Sequence, residues 1–126
     1  MATSLLGLRT TLYRVGDLAA AKTWYADAVG EAPFFDEPFY VGFNIAGYEL
    51  GLMPDDTPAA DKTENVLSYW GVEDIDSEVA RLKDMGATMD NDPMNVGGDI
   101  VVAELKDPWG NVLGLIYNPE FKLPDQ

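Results

Sequence analysis

The chain has 126 residues, enough for one domain or two small halves that share a core, and its apolar content of 47% supports a packed interior. It has 22 acidic and 8 basic residues, for a net charge of −14, and lacks the basic clusters that bind nucleic acid. The absence of His and Cys removes the commonest general base, the commonest transition-metal ligands, cysteine nucleophiles and disulfides.

The sequence also bears on location and on charged partners. No apolar run is long enough to span a membrane, and the opening MATSLLGLRTTLY lacks the features of a secretory signal. With the missing cysteines, this predicts a cytoplasmic protein with no membrane partner. The acidic balance favours a solvated surface, and attraction of a cationic small molecule is a sharper interpretation that is compatible with it.

The first half predicts a strand, a helix and three more strands. A β-prone run ends at Val15, and Asp17 then suits the N-cap of a helix that ends at Gly30. Three extended segments follow, at about 33–36, 39–45 and 48–53. Ala46-Gly47 forms a tight turn before the last of them.

Two segments of this half carry distinctive compositions. PFFDEPFY (33–40) has four aromatic residues in eight, and we expect it to be core, with a flap over a groove as the alternative. PDDTPAADKTE (54–64) is rich in Pro, Asp and Thr and predicts a linker.

The second half repeats the plan of the first. Asp74 takes the N-cap position of a second helix, which ends at Gly86. Three extended segments follow, at about 87–90, 99–106 and 111–117. Asp107-Pro108 opens the turn DPWGN before the last strand, where Gly110 permits a positive φ.

The last strands of both halves share a Leu-Gly-Leu core, in GYELGLMP (47–54) and GNVLGLIY (110–117). The predicted fold class is therefore α+β, with two tandem βαβββ modules in a single domain over 1–126. The predicted boundaries are module 1 at about 8–53, a linker at 54–64, module 2 at about 65–117 and a C-terminal tail at 118–126. Since a half of this size cannot bury both faces of its sheet, we expect the two curved mixed sheets to enclose a cavity.

Three features of the chain carry a family resemblance, and together they cover roughly residues 8 to 118. They are LYRVGDLAAAKTWYADAVG (12–30), the turn DPWGN (107–111) and the doubled βαβββ plan. They resemble the glyoxalase/bleomycin-resistance/extradiol-dioxygenase superfamily, also called vicinal oxygen chelate proteins. The fold alone does not identify a substrate.

In the metal-dependent members of that family, the resemblance implies two metal-ligand positions in each module. Here they fall on Thr10 and Gly51 in module 1 and on Leu67 and Gly114 in module 2. Two of these residues have no side chain, one is a hydrocarbon, and a lone Thr hydroxyl is a weak ligand. We therefore expect no transition metal and no cofactor, while an all-carboxylate Ca or Mg site stays open.

Strand alternation then assigns the pocket, on the assumption that the four ligand positions face a cavity. The predicted ligand-binding residues of the strands are Thr10, Leu12, Arg14, Glu49, Gly51, Met53, Leu67, Tyr69, Val112, Gly114 and Ile116. Trp109 joins them because it lies in a turn where nothing obliges it to be buried. Gly51 and Gly114 are expected to leave bare backbone as the pocket floor, and Arg14 and Glu49 are either binding groups or solvated strand-end residues.

The resemblance is to the metal-free, bleomycin-resistance-like branch, whose members are small acidic dimers that sequester a cationic drug. It implies a homodimer that binds a small amphipathic or cationic organic molecule. The alternative is a metal-independent lyase or isomerase, with Glu49 as the base, Arg14 as an electrostatic anchor and Tyr69 as a reluctant acid. Binding is favoured over catalysis because it needs fewer assumptions.

Overall fold

The structure is a computed structural model that describes residues 8–55 and 67–121. Its elements are β1 (Thr10–Val15), α1 (Leu18–Val29), β2 (Phe35–Glu37), β3 (Tyr40–Ile45), β4 (Tyr48–Pro54), β5 (Tyr69–Gly71), α2 (Ile75–Asp84), β6 (Thr88–Gly97), β7 (Ile100–Lys106) and β8 (Val112–Tyr117). The predicted linker lies outside the described residues from position 56 onward, as does the predicted tail from position 122. No helix in the described ranges is long and apolar enough to cross a membrane.

The chain divides into two units, and each contains one helix and one four-stranded mixed sheet. The strand orders are β1-β4-β3-β2 in module 1 and β5-β8-β7-β6 in module 2. In each sheet the first strand runs parallel to the last, and the other neighbours are antiparallel. The α+β fold of two tandem βαβββ modules is therefore confirmed. Enclosure of a cavity by the two sheets stays a prediction.

Both predicted N-caps are present. The Asp17 carboxylate accepts a hydrogen bond of 3.0 Å from the backbone N–H of Ala20, so it satisfies a free amide at the start of α1. Asp74 accepts one of 3.2 Å from the backbone N–H of Ser77 and one of 2.9 Å from its hydroxyl. At the other end of α1, Gly30 has a φ of 73°, the left-handed conformation that ends many helices.

The predicted turns also form where the sequence places them. Ala46 and Gly47 have φ values of 52° and 94° between β3 and β4, as a two-residue hairpin turn requires. Before β8, Gly110 has a φ of 87°, and the Asp107 carboxylate accepts hydrogen bonds from the backbone N–H groups of Trp109 and Asn111. These turns fix the register between β3 and β4 and between β7 and β8.

Each helix packs against one face of its own sheet. The buried strand residues on that face are Tyr13, Val15, Val41, Phe43, Leu50 and Leu52 in module 1 and Ala103, Leu105, Leu113 and Leu115 in module 2. Tyr25 of α1 is also buried, with its ring centroid 5.9 Å from that of Tyr13. The opposite face of each sheet, which we call the helix-free face, includes Thr10, Leu12, Arg14, Tyr40, Gly42, Glu49, Gly51 and Met53 in module 1 and Tyr69, Glu104, Val112, Gly114 and Ile116 in module 2.

Strand β6 is longer than predicted. The sequence places it at about 87–90, but it extends over Thr88–Gly97 and includes Pro93. The strand lies at the edge of its sheet, and its pairing with β7 has register shifts between Met89 and Asn91 and between Asn91 and Met94. An edge position and bulges tolerate a proline, which has no N–H to donate to the ladder.

The prediction that PFFDEPFY is core is wrong. The exposed fractions are 62% for Phe34, 39% for Phe35 and 62% for Phe39. Strand β2 has only three residues and lies at the edge of its sheet, so it offers little surface to pack against. Tyr40, at the start of β3, is half-buried.

Candidate functional site

In module 1, a tyrosine ring covers Gly51. Tyr40 of β3 pairs diagonally with Gly51 of β4, within reach of an aromatic side chain. A Cβ atom added at position 51 would lie 2.7 Å from Cζ of Tyr40, so only glycine leaves room for the ring in this position. Gly42, which pairs directly with Gly51, leaves similar room for Glu49, because a Cβ there would lie 3.0 Å from Oε2.

Glu49 is the polar centre of this face. Its Oε2 accepts a hydrogen bond of 2.8 Å from the Tyr40 hydroxyl, and its Oε1 accepts one of 2.8 Å from the Thr10 hydroxyl. The strand register explains the second contact, since Thr10 lies directly opposite Glu49. The carboxylate is half-buried, so part of it stays accessible from the helix-free face.

The Tyr40 phenol is held in its protonated form. Burial, the hydrogen bond to Glu49 and the charge of Glu49, in that order of size, together raise the pKa of Tyr40 to about 12. At neutral pH, Tyr40 is therefore a fixed hydrogen-bond donor to Glu49. It is a poor proton donor to a substrate.

Module 2 has a similar arrangement with different members. The ring of Tyr69 lies against Gly114, and a Cβ at that position would lie 2.8 Å from Cδ1 of Tyr69 and 2.5 Å from the backbone oxygen of Ser68. The Tyr69 hydroxyl donates a hydrogen bond of 3.0 Å to Glu104 Oε2, and the Asn91 side-chain amide donates one of 2.8 Å to Oε1. Burial, followed by the hydrogen bond to Glu104, raises the pKa of Tyr69 above its ordinary value.

The prediction of bare backbone at Gly51 and Gly114 is wrong. Both glycines are buried, and a tyrosine ring occupies the space beside each one. The glycines therefore make room for side chains of their own module.

The other predicted site residues lie as the strand register dictates, and their role in binding stays a prediction. The predicted positions on the helix-free faces are Thr10, Leu12, Arg14, Glu49, Gly51 and Met53 in module 1 and Tyr69, Val112, Gly114 and Ile116 in module 2. Leu67 precedes β5 and is 41% exposed. Trp109 is half-buried in the turn before β8, which differs from the exposed position that was predicted.

Arg14 lies away from Glu49 along the strands. It pairs with Met53, whereas Glu49 pairs with Thr10 at the other end of β1. The hydrogen bonds to Glu49 come from the hydroxyl groups of Thr10 and Tyr40.

The side chains present do not fit the metal site that the family resemblance implies. Tyr40 and Tyr69 fill the space at Gly51 and Gly114, where metal-dependent members place carboxylates. The nearby Glu49 already accepts two hydroxyl groups. Among the residues that the structure describes, no three acidic side chains gather closely enough to hold a metal ion.

Three residues of the hydrogen-bonded groups around Glu49 and Glu104 were not predicted from the sequence, and they are Tyr40, Asn91 and Glu104 itself. Signals for two of them were present. An inward-facing glycine in a strand leaves a hole that an aromatic residue of the next strand can fill, which points to Tyr40. The turn DPWGN sets the register between β7 and β8, and counting back from it places Glu104 opposite Gly114. Asn91 had no such signal, because the bulges in β6 break its alternation.

Comparison with known proteins identifies a family that has this two-module fold. A model of the Glyoxalase/Bleomycin resistance protein/Dioxygenase superfamily matches residues 7–115. The uncharacterized protein YurT of Bacillus subtilis (strain 168) is 31% identical over 77 residues. That match covers 56% of this chain and only 60% of YurT.

Solved structures with the same fold have low sequence identity to this chain. A glyoxalase-related enzyme from Fulvimarina pelagi has a TM-score of 0.74 and 18% identity, covering 95% of this chain and 94% of its own. A glyoxalase/bleomycin resistance protein/dioxygenase family enzyme from Burkholderia phytofirmans PsJN has a TM-score of 0.73 and 17% identity. The match covers 86% of this chain and 95% of that enzyme's chain. On the family model and the two-module fold, this chain belongs to the glyoxalase/bleomycin resistance protein/dioxygenase superfamily.

Proposed function

We propose that this chain is a metal-free small-molecule-binding protein that takes up an amphipathic or cationic organic compound. The observation that carries the proposal is Glu49, a half-buried carboxylate whose two oxygens are each oriented by a hydroxyl group. A carboxylate offers about four lone-pair sites, and two of them remain for N–H groups of a ligand. The net charge of −14 adds a long-range attraction for cations.

Apolar groups on the same face suit the rest of such a ligand. Leu12 is 43% exposed, and Met53 is partly exposed on the adjacent strand. Binding sites for small organic molecules combine apolar walls with a few fixed polar groups, which is the combination that Glu49 and its neighbours supply. Because the Tyr40 and Thr10 hydroxyls already orient the carboxylate, little side-chain entropy is lost when a ligand binds.

The geometry supports binding over the lyase or isomerase alternative. A lyase or isomerase that uses Glu49 as its base also needs a nearby group that donates a proton to the substrate. The adjacent acid would be Tyr40, whose pKa of about 12 makes proton donation at neutral pH unfavourable.

The proposal is tested by a thermal-shift screen of metabolites, aromatic acids and cationic organic compounds, followed by affinity measurements on each hit. The test variant is Glu49→Gln, which keeps the size of the side chain and removes its charge. The matched control is Glu31→Gln, an exposed residue beyond the end of α1. We expect cationic hits to lose affinity in Glu49→Gln and to keep it in Glu31→Gln. Equal affinity in all three proteins would refute the proposal.

We also propose that the protein is a homodimer, as the family resemblance implies, and that it is cytoplasmic, as its lack of cysteine indicates. Light scattering at micromolar concentration should give twice the mass of one chain, and a mass of one chain would contradict the dimer. Cell fractionation tests the location, and recovery of the protein outside the cytoplasmic fraction would contradict it.

A further inference from the structure

The Tyr69 side chain in module 2 is a fixed aromatic surface. Part of its ring lies against the backbone at Gly114, and its hydroxyl is bound to Glu104 at 3.0 Å, so the ring is held at two points. The residue is nevertheless 39% exposed. A rigid, partly exposed ring offers contact area at a low cost in conformational entropy.

The carboxylate behind this ring is buried and charged. Glu104 is only 7% exposed, and its two hydrogen-bond donors, Tyr69 and Asn91, are both neutral groups. The negative charge is therefore not neutralised by either donor. Because only 7% of Glu104 is exposed, we expect it to act on a ligand mainly through the Tyr69 ring.

We propose that Tyr69 is a stacking site for a planar aromatic cation and that Glu104 is its positioning residue. The face of an aromatic ring attracts cations, and a phenol that donates a hydrogen bond to a carboxylate has a more electron-rich ring. The buried charge of Glu104 adds to this attraction at short range. This inference rests on the proposed function, and it assigns a ligand class to module 2.

The first strands of the two modules differ beside the glycine, and the tyrosine that packs against Gly51 in module 1, Tyr40, comes from β3 instead. The residue that pairs with Gly51 in module 1 is Leu12, whereas the residue that pairs with Gly114 in module 2 is Tyr69. Leucine offers an apolar contact without a π face. The aromatic surface is therefore a property of this position in the second half of the chain.

The test uses two probes with the same ring system and different charge. N-methylquinolinium is a planar cation, and quinoline is its neutral counterpart at neutral pH. Equilibrium dialysis of the full chain gives the affinity for each probe. We expect the wild-type protein to bind the cation more tightly than quinoline, by roughly two- to fivefold.

Three variants separate the ring from the charge. Tyr69→Leu removes the ring, and both probes should lose affinity. Glu104→Gln keeps an acceptor for the Tyr69 hydroxyl and removes the charge, so the preference for the cation should shrink while quinoline still binds. Tyr69→Phe keeps the ring and should reduce the preference. Tyr48→Phe, an exposed tyrosine of module 1, is the control and should change neither affinity.

A cation preference in Glu104→Gln that is as large as in the wild-type protein would overturn the positioning role, even if Tyr69→Leu does not fold. Unchanged affinity in Tyr69→Leu, or no binding of N-methylquinolinium by the wild-type protein, would overturn the stacking site. Glu49 is intact in every variant, so a failure here is distinguishable from failure of the proposed function. In that case, hits that depend on Glu49 would still bind.

Discussion

Gly51 and Gly114 occupy the same position in the two modules, yet the tyrosine beside each one comes from a different strand. In module 1 the ring is that of Tyr40, from the antiparallel neighbour β3, and in module 2 it is that of Tyr69, from the parallel neighbour β5. The carboxylate partner also changes strand, because Glu49 lies on β4 beside its glycine and Glu104 lies on β7.

This difference shows that the duplicated fold determines where space is left beside the glycine, but not which strand supplies the ring that occupies it. Either neighbouring strand can supply the ring, since both lie within side-chain reach of the glycine. The consequence for chemistry is in the exposure of the carboxylate. Glu49 is half-buried, whereas Glu104 is only 7% exposed and is hydrogen-bonded to its tyrosine.

The largest effect is expected from alanine at the two glycines. In Gly114→Ala the new Cβ would lie 2.5 Å from the backbone oxygen of Ser68, which cannot rotate away, and we expect a loss of about 2–3 kcal/mol in the free energy of unfolding. In Gly51→Ala the obstacle is the end of the Tyr40 side chain, which can move, so we expect a loss of about 1–2 kcal/mol. Urea unfolding measures both values.

Gly71→Ala is the matched control, because a Cβ at that position of β5 meets nothing within 4 Å. It should leave stability unchanged or slightly raised. If Gly114→Ala were as stable as Gly71→Ala, the close contact at Gly114 would be wrong. If Gly51→Ala lost more than Gly114→Ala, the contrast between a backbone and a side-chain obstacle would be wrong.

An effect smaller than that of Gly114→Ala is expected from removal of the tyrosine hydroxyls. Tyr69→Phe leaves the buried Glu104 with one donor, and we expect a loss of about 1–2 kcal/mol in urea unfolding. Tyr40→Phe should cost less, about 0.5–1.5 kcal/mol, because water can replace the donor at the half-buried Glu49. Tyr48→Phe, at an exposed residue, controls for the loss of a phenol and should change little. Equal losses in Tyr69→Phe and Tyr40→Phe would contradict the difference in burial.

The last effect is a change in pH dependence, which shows only at alkaline pH. The pKa of Tyr40 is about 12 in the folded chain against an ordinary value of 10.0, so its protonated form is favoured by folding. This contribution to stability is complete below about pH 10 and is lost as the pH rises toward about 12. Urea midpoints should therefore fall over this range in the wild-type protein and fall less in Tyr40→Phe. Parallel curves for the two proteins would show that the Tyr40 pKa is not raised.

The sequence predicts most of the fold because its signals are local. Asp17 and Asp74 mark the helix starts, and Gly47 and Gly110 mark turns that need a positive φ. Strand β6 was predicted too short because Pro93 suggests a break, and only the sheet shows that this strand is an edge with bulges.

The candidate site was harder to predict because its contacts join residues that are distant in the chain. Glu49 was identified from alternation along its own strand, but its donors Thr10 and Tyr40 come from two other strands. The sequence predicted empty space at Gly51 and Gly114 because a glycine has no side chain. Which residue of a neighbouring strand fills that space is visible only in the structure. The glycines mark positions where a neighbouring tyrosine ring packs against the strand.

The most direct test of the central claim is a titration of one cationic screening hit into the wild-type protein and Glu49→Gln, with the mass of the recovered ligand determined afterwards. We expect saturable binding to the wild-type protein, weaker binding to Glu49→Gln, and a ligand recovered with its mass unchanged. A ligand that is converted to product by the wild-type protein, at a rate that collapses in Glu49→Gln, would contradict the account and would identify Glu49 as a catalytic base.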